Sequence, residues 1–235
     1  MCPCWKRAGS TDVYDEHARF INGEIRAMVR KIGTQVQSDE LVSSRRGQII
    51  NAAITVFHRQ GFHVATTMDI ALEAGLSQSN LYNYIKSKQD VLLLVCTHLV
   101  GLYNKIIDDI VARHDDPHRC LIEGLEAIIK VMGTHRHEIQ LLYHETHALE
   151  KRDRMAVLAA ISGFIGRFEA LVIRYEEDHG KLELRNTRLA ANFLSFVPAI
   201  IALRSWDLAS SASRNLNQAI LQFILSGLGI PGLKR

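Results

Sequence analysis

Proline and aromatic residues are scarce in this chain of 235 residues, which has 4 prolines and an aromatic content of 7%. Because proline breaks helices, and because aromatic and β-branched residues favour strands, this composition favours a helical protein. A hydrophobic content of 47% and a charged content of 23% are typical of globular domains. Wholesale disorder, collagen and coiled-coil rods are therefore excluded.

Cysteine is also infrequent, and the four cysteines are too few for a disulfide framework at this length. Cys96 and Cys120 fall in apolar helical patterns, so we expect packed, reduced thiols. The sequence shows no signal-peptide pattern and no uninterrupted apolar stretch of about 18 residues, the length of a membrane span. We therefore expect a cytoplasmic protein that makes no membrane contact.

The chain has no large excess of one charge, since it contains 28 basic and 25 acidic residues and has a formal net charge of +3. This balance excludes a histone-like or polybasic protein, and any contact with nucleic acid must be local. Residues 44–96 contain five basic and three acidic residues, a small local excess of positive charge. The near-neutral total thus argues only against indiscriminate binding.

Apolar residues recur at spacings of three to four along most of the chain, which predicts about ten helices and no strand. Asp116 followed by Pro117 marks one helix start. Residues 38–44 are expected to be a connector. Other helices are predicted over residues 12–36, 91–110, 153–178, 186–207 and 213–228.

The block from residue 44 to residue 96 is dense in helix start and stop signals. Gly61 follows the first apolar face, and Gly75 supplies the positive φ of a tight turn. Thr66 with Asp69 and Ser87 with Asp90 have the spacing of capping boxes, and Ser77 is a second N-cap candidate. Short helices joined by such turns predict a helix-turn-helix whose core holds Ile70, Ala71 and Leu81.

The second helix of this pair is predicted to expose a polar, uncharged surface that suits base edges and phosphates better than a protein core. Its residues are Gln78, Ser79, Asn80, Tyr82, Asn83 and Tyr84.

Residues 45–96 resemble the DNA-binding domain of the TetR family of transcriptional regulators. The motifs that carry the resemblance are Ala52-Ala53, Phe57, Gly61-Phe62, Thr66-Thr67, Ile70-Ala71, Ala74-Gly75-Leu76-Ser77, Leu81-Tyr82 and Ser87-Lys88. Two departures stand out: Ile85 replaces the usual Phe, and Tyr84 stands where His is common. The first should repack a small core, and the second should alter a phosphate contact or a base preference.

The resemblance implies a role for each matched residue. Thr67, beside Thr66, would anchor a phosphate through its hydroxyl and the helix N-terminus, and Tyr82 and Lys88 would contact phosphates flanking the groove. Gln78 would be the leading base reader, because a Gln amide can pair bidentately with adenine. Arg46 is expected either to reach the adjacent backbone or minor groove or to remain solvated. Ser77, Ser79, Asn83 and Tyr84 would line the remainder of the recognition helix.

The same resemblance implies an all-α architecture with a three-helix head and a larger helical domain for ligand binding and dimerisation. We assign residues 1–43 to an N-terminal extension, 44–96 to the head and 97–235 to the larger domain. The apolar excess in residues 186–228 fits a homodimer interface, with a buried core as the alternative. The extension's amphipathic helix is predicted to dock on the first helix of a reading head.

A small-molecule effector site is expected within residues 99–179, with Trp206 near one end. The later part of the chain weakly resembles the subgroup that senses fatty acyl-CoA or related thioesters, and Arg174 would then meet a phosphate or carboxylate. The candidate lining residues are Tyr103, Met132, Tyr143, His144, His147, Phe164, Phe168, Arg174 and Trp206.

Four histidines, His135, His137, His144 and His147, lie within thirteen residues. The last three are spaced i, i+7 and i+10, so with Glu138 or Glu145 a metal site is conceivable, but polar surface or lining is favoured. We predict no metal, no cofactor and no catalytic residue, since the HExxH, GxSxG, P-loop and GxGxxG motifs are absent.

The main hypothesis is therefore a homodimeric repressor that leaves a palindromic operator in double-stranded DNA when its effector binds. An architectural DNA-binding protein without an effector is one alternative. A helical enzyme that uses the histidines with a metal is another.

Overall fold

The computed structural model describes residues 39–208 and 216–232. The predicted helix over residues 12–36 lies outside these residues. The described part of the chain is built from α-helices and two short 3-10 turns and contains no strand, which confirms the all-α prediction. The α-helices are α1 (Asp39–Gln60), α2 (Thr67–Glu73), α3 (Gln78–Tyr82), α4 (Lys88–Arg113), α5 (Pro117–Thr134), α6 (Arg136–Glu145), α7 (Lys151–His179), α8 (Thr187–Phe196), α9 (Ile200–Leu203), α10 (Ser205–Leu208) and α11 (Leu216–Leu228).

The connector predicted at residues 38–44 is wrong, because α1 already begins at Asp39. Val42 is buried in this first stretch of α1. Its packing outweighs the weak helix propensity of Ser43 and Ser44, which had suggested a loop.

The single helix predicted over residues 186–207 is also wrong, since the chain there forms α8, a 3-10 turn at Val197–Ala199, α9 and α10. Pro198 lies in that turn. It has no backbone N–H to donate, and its ring clashes with the carbonyl group four residues earlier, so an unbroken α-helix is disfavoured.

The chain divides into two compact units. One unit holds Val100–Ile139 together with the described part of Ile161–Arg235, and the other holds the described part of Phe20–Leu99 together with Gln140–Ala160. The second unit thus joins the predicted head to a segment from the predicted larger domain. The functional limits assigned at residues 44–96 and 97–235 stay a prediction.

Two helices, α4 and α7, are long and apolar enough to cross a membrane by length and composition alone. Of their most apolar windows, 61% in α4 and 44% in α7 is buried inside the protein. Helices that form a protein core show the same pattern, so this is weak evidence for a membrane span.

Candidate DNA-binding interface

The first two helices of the head are held together by polar side chains from α1. The Nε2 atom of Gln48 donates a hydrogen bond of 2.6 Å to the carbonyl oxygen of Ala74, directly after α2. Arg59 forms an ion pair of 3.0 Å with Glu73. Since the carbonyl groups at a helix end have no partner within the helix, Gln48 satisfies one that α2 leaves open.

The loop between α1 and α2 is anchored by Lys88. Gly61 has a φ of +81° and ends α1, which confirms its predicted role. The Nζ atom of Lys88 then donates hydrogen bonds of 2.7, 2.9 and 2.8 Å to the carbonyl oxygens of Phe62, His63 and Ala65. The three donors of the ammonium group are matched by three backbone acceptors.

The start of α2 is fixed by a capping box, as the sequence predicts. The Oγ1 atom of Thr66 accepts a hydrogen bond from the backbone N–H of Asp69, while Asp69 accepts one from the backbone N–H of Thr66. Hydrogen bonds from Thr66, first from its side chain and then from its backbone, together with one from Gln60, lower the pKa of Asp69. This carboxylate is thus engaged in capping.

The turn between α2 and α3 has the expected helix-turn-helix geometry. Gly75 has a φ of +63°, and Ser77 caps α3 by accepting a hydrogen bond from the backbone N–H of Asn80. Ile70, Ala71 and Leu81 are buried between the helices, which confirms the predicted core. The turn and the packing together fix the direction of α3.

A pair of hydroxyl groups joins the start of α2 to the end of α3. The Oγ1 atom of Thr67 and the phenol oxygen of Tyr82 lie 3.1 Å apart and share a hydrogen bond. Tyr82 is 45% exposed. Two adjacent hydroxyl groups on one outer face are suited to donate hydrogen bonds to phosphate oxygens.

The start of α3 presents the predicted reading residues to solvent. Ser77, Gln78 and Ser79 are all exposed, and Asn83 is partly exposed. The hydroxyl oxygens of Ser77 and Ser79 lie 3.2 Å apart. Gln78 therefore sits at the exposed N-terminal end of α3 between two hydroxyl groups.

The structure departs from the predicted exposed surface at Tyr84. Tyr84 is only 6% exposed and follows α3, which already ends at Tyr82. Its ring faces the core next to Ile85, which is fully buried. The hydrophobic gain from burying an aromatic ring outweighs an exposed position on the recognition helix.

The surroundings of Lys88 and Arg46 differ from those expected of residues that contact the DNA backbone. The Lys88 ammonium group serves the backbone carbonyl groups described above, so its predicted role as a solvent-facing phosphate contact is corrected to that of an internal anchor. Arg46 is partly buried, and this burial lowers the pKa of its guanidinium group. Full solvation, one of its two predicted states, therefore does not describe Arg46.

Four of the predicted effector-lining residues belong to the interior of the first compact unit. Tyr103, Met132, Phe164 and Phe168 are each at most 3% exposed. The ring of Phe164 packs on Tyr103 with 5.1 Å between centroids and on Phe168 with 5.5 Å. These residues form a continuous apolar and aromatic interior.

The other predicted lining residues do not join that interior. Trp206 is 74% exposed and Tyr143 is 43% exposed, while His144 and His147 are also exposed. Arg174 donates a hydrogen bond of 3.3 Å to the carbonyl oxygen of Asp115. The family resemblance had grouped these residues into one pocket, but Trp206 lies after the break at Pro198, and Tyr143, His144 and His147 lie at or just after the end of α6.

The grouping of His137, His144 and His147 that their spacing made conceivable is not among the metal-ligand clusters of the described residues. His135 instead pairs with Glu138 at 2.7 Å. Among the described residues, the side chains brought together with metal-ligand spacing are those of His63, Glu145 and His147. The end of α6 at Glu145 interrupts the helical face on which the spacing argument depended.

Sequence reasoning missed Gln48 and His63. Gln48 lies on an ordinary polar face of α1, and its partner Ala74 is 26 residues away, so no local pattern identifies it. His63 lies in a loop far in sequence from Glu145 and His147. Only the folded chain brings such distant positions together.

Comparison with known proteins agrees with this geometry. Residues 49–95 match the family model described as bacterial regulatory proteins, tetR family. The DNA-binding head of this chain is therefore similar to that of the TetR family. It is similar to the HTH-type transcriptional regulator HbdR of Aromatoleum sp. (strain CIB), at 30% identity over 122 residues, which are 52% of this chain and 53% of HbdR. The chain thus spans about half the length of this curated relative.

Solved structures share the fold of this chain. A bacterial regulatory protein in the tetR family from Rhodococcus RHA1 superposes with a TM-score of 0.68 and 16% identity, covering 83% of this chain and all of that one. FadR from Bacillus subtilis, solved in complex with stearoyl-CoA, gives a TM-score of 0.61 and 18% identity, covering 77% of this chain and 97% of that one. HbdR and FadR are both transcriptional regulators.

Proposed function

We propose that this chain is a homodimeric, DNA-binding transcriptional repressor of the cytoplasm that belongs to the TetR family and binds a palindromic operator. The observation that carries the proposal is the outward polar face around α3. Exposed Gln78 offers an amide for a base edge, and the hydroxyl pair of Thr67 and Tyr82 lies on the adjoining outer face for phosphates. Direct base contacts and phosphate contacts of this kind are what a recognition helix combines.

The electrostatics of the head support specific rather than indiscriminate binding. Arg59 is paired with Glu73, and Lys88 is occupied by backbone carbonyl groups. These two cations are engaged within the chain, so hydrogen bonds placed in register must supply part of the affinity. A head of this kind distinguishes between DNA sequences while binding each of them with moderate affinity. A dimer adds a second head, which binds a second half-site one helical turn of DNA away.

Dimerisation is supported by apolar side chains on the helices near the end of the chain. Several large apolar residues there are between 41% and 72% exposed: Leu189, Phe193, Phe196, Ile200 and Phe223. Ile201, Ile220, Ile224 and Leu228 are buried within the chain itself. Exposed phenylalanines beside a buried apolar face are typical of a surface that a second copy covers.

The effector is proposed to be an apolar small molecule such as a fatty acyl-CoA thioester. In support, Tyr103, Phe164 and Phe168 make the interior of the unit aromatic. Asn104 is buried next to Tyr103, and its Oδ1 atom accepts no hydrogen bond from the part of the chain that the structure describes. An unsatisfied polar atom in an apolar interior can orient a ligand. FadR in complex with stearoyl-CoA shares the fold, which supports the choice of class.

The direct test is DNA selection from a random pool with the purified full chain, followed by fluorescence anisotropy on the enriched site. We expect a two-fold symmetric sequence and salt-sensitive binding. Gln78→Ala should weaken binding to that site by about 1–3 kcal/mol and relax the preference at one base pair per half-site. His98→Ala, on an exposed position of α4, is the matched control and should bind as the unchanged chain does.

Stearoyl-CoA added to the preformed complex tests the effector. Release of DNA at micromolar ligand supports a ligand-responsive repressor, because only differential affinity for two states can transmit the signal. If the chain binds DNA sequence-specifically and no acyl-CoA changes that binding, acyl-CoA is not the effector. An architectural DNA-binding protein without an effector would be supported only if, in addition, no other ligand of a panel raised the midpoint of thermal unfolding. Failure to enrich any sequence would overturn the repressor function itself.

A further inference from the structure

Three side chains that are distant in sequence converge in the second compact unit: His63, Glu145 and His147. His63 lies in the loop between α1 and α2, Glu145 ends α6, and His147 lies in the 3-10 turn at Thr146–Ala148. Their ligand atoms, one from each residue, all lie within 4.8 Å of one another. Imidazole nitrogens and a carboxylate oxygen are common ligands of divalent transition metals.

One pair of these ligand atoms already has nearly the separation that a metal would impose. The Nε2 atom of His63 lies 3.2 Å from the Oε2 atom of Glu145. Zinc binds nitrogen and oxygen at about 2.0–2.2 Å, so tetrahedral coordination separates neighbouring ligand atoms by about 3.4 Å. The other ligand atoms of the cluster lie within 4.8 Å, and both histidines are exposed. A modest side-chain adjustment on binding would bring all three ligand atoms to metal-ligand spacing.

The carboxylate of Glu145 is held in place without a hydrogen-bonding partner for its inner oxygen. Its Oε2 atom is buried and accepts no hydrogen bond from the described residues, although the Nε2 atom of His63 lies 3.2 Å away. Glu145 also precedes the 3-10 turn without capping it through its side chain. A buried carboxylate oxygen without a donor is costly, and a cation would satisfy it.

The backbone on both sides of the cluster is fixed. Lys88 donates a hydrogen bond of 2.9 Å to the carbonyl oxygen of His63. On the other side, Arg154 donates a hydrogen bond of 3.4 Å to the carbonyl oxygen of His147. The Oγ1 atom of Thr146 donates a hydrogen bond to the carbonyl oxygen of Leu142. These bonds limit the movement of the main chain on both sides, and the rings of His63 and His147 lie 6.4 Å apart between centroids. The backbone therefore holds the two imidazole groups close to each other.

We propose that His63, Glu145 and His147 bind a divalent transition ion of the zinc class and thereby fasten the loop before α2 to the turn after α6. Three protein ligands leave a fourth position for water or another small ligand. Imidazole favours zinc, nickel, cobalt or copper over magnesium and calcium, which prefer oxygen ligands. The bound ion would restrain the loop that leads directly into Thr66 and Thr67.

The test is competition for Zn²⁺ between the metal-stripped full chain and a chromogenic chelator. Cys2→Ser and Cys4→Ser are introduced throughout, so that these thiols do not compete for zinc. We expect one tight site per chain. His63→Ala, Glu145→Gln and His147→Ala should each weaken binding at least tenfold, whereas His98→Ala, an exposed histidine of the same unit, should leave it unchanged.

Cobalt provides a structural signature for the same site. Co²⁺ bound by the unchanged side chains should give the visible absorption of a four- or five-coordinate ion, and His63→Ala should abolish it. Retention of wild-type zinc affinity in all three ligand variants, or an equal loss in the His98 control, overturns the proposal. These readouts need no DNA, so their outcome is independent of the repressor function.

Discussion

The ammonium group of Lys88 lies 2.7 Å from the backbone oxygen of Phe62 and 4.7 Å from the centre of the same residue's ring. One charged group therefore satisfies the backbone of the loop and covers the aromatic residue that packs against α1 through Phe57. The two interactions are of different kinds, a charge-assisted hydrogen bond and a cation–π contact.

Removing this anchor should destabilise the head. Lys88→Met keeps the alkyl stem but leaves three carbonyl groups without their donor, so we expect a loss of about 2 kcal/mol in the free energy of unfolding. Chemical denaturation followed by circular dichroism measures it. Lys86→Met, at an exposed neighbouring position, should change stability by less than about 0.5 kcal/mol. Equal effects of the two substitutions would contradict the anchoring role.

The turn of the helix-turn-helix should tolerate no side chain at Gly75. A Cβ atom there would meet no atom within 4 Å, so the cost of Gly75→Ala is that of the backbone at a φ of +63°. This should amount to about 1–2 kcal/mol. Gly47→Ala is the control, since Gly47 lies inside α1 with open space around it and alanine should stabilise that helix by up to about 1 kcal/mol. Thermal denaturation should therefore move in opposite directions for the two variants.

The hydroxyl pair of Thr67 and Tyr82 should act as one unit in DNA binding. Thr67→Val and Tyr82→Phe each remove one hydroxyl group and break their 3.1 Å hydrogen bond. We expect each to weaken binding by about 1 kcal/mol at every operator sequence, and the double variant to lose less than the sum. Anisotropy titrations on the selected operator and on point variants of it measure this. A change of base preference in Thr67→Val would show that the pair reads sequence.

Phe223, at 72% exposure, should be central to the dimer. Phe223→Arg places a charge in the proposed interface and should raise the dimer dissociation constant about a hundredfold or more. Sedimentation velocity over a range of concentrations measures it. Met155→Arg changes an apolar side chain that is 56% exposed on α7 and should leave the dimer intact. If both variants were monomeric, the dimer interface would not be specific to the surface around Phe223.

The thiol of Cys96 should be inert at ordinary pH. Burial raises its pKa from 9.0 to about 12, so the thiolate that reacts with iodoacetamide is nearly absent at pH 8.5. Because the folded pKa is the higher one, the contribution of this thiol to stability is present below pH 9 and is lost as the pH rises toward 12. Mass mapping of native, alkylated protein should find Cys96 unmodified, and addition of urea should expose it. Rapid labelling without urea would show that the site opens.

Most features of the head were predicted from short-range sequence signals, namely glycines and helix-capping residues. Gly61, Gly75, Ser77 and the box formed by Thr66 and Asp69 act within a few residues of themselves, so their roles are readable from spacing. The contacts that sequence reasoning missed, such as Gln48 with Ala74, join residues that are far apart in the chain.

The errors have the same origin. Tyr84 was assigned to the recognition surface by helical spacing, but α3 ends two residues earlier and the ring turns inward. Lys88 was assigned to phosphate by the family resemblance, whereas its partners are backbone atoms that no sequence pattern marks. Side-chain direction after a helix end depends on tertiary packing, which periodicity does not encode.

Lys88 binds the main chain of the loop and none of its side chains except the Phe62 ring. Every amino acid presents the same carbonyl oxygen, so replacement of His63 or Val64 leaves these hydrogen bonds intact. The loop can therefore accumulate new side chains over evolutionary time while α2 keeps its position. A histidine at position 63 can therefore be gained or lost without loss of the hydrogen bonds that hold the loop.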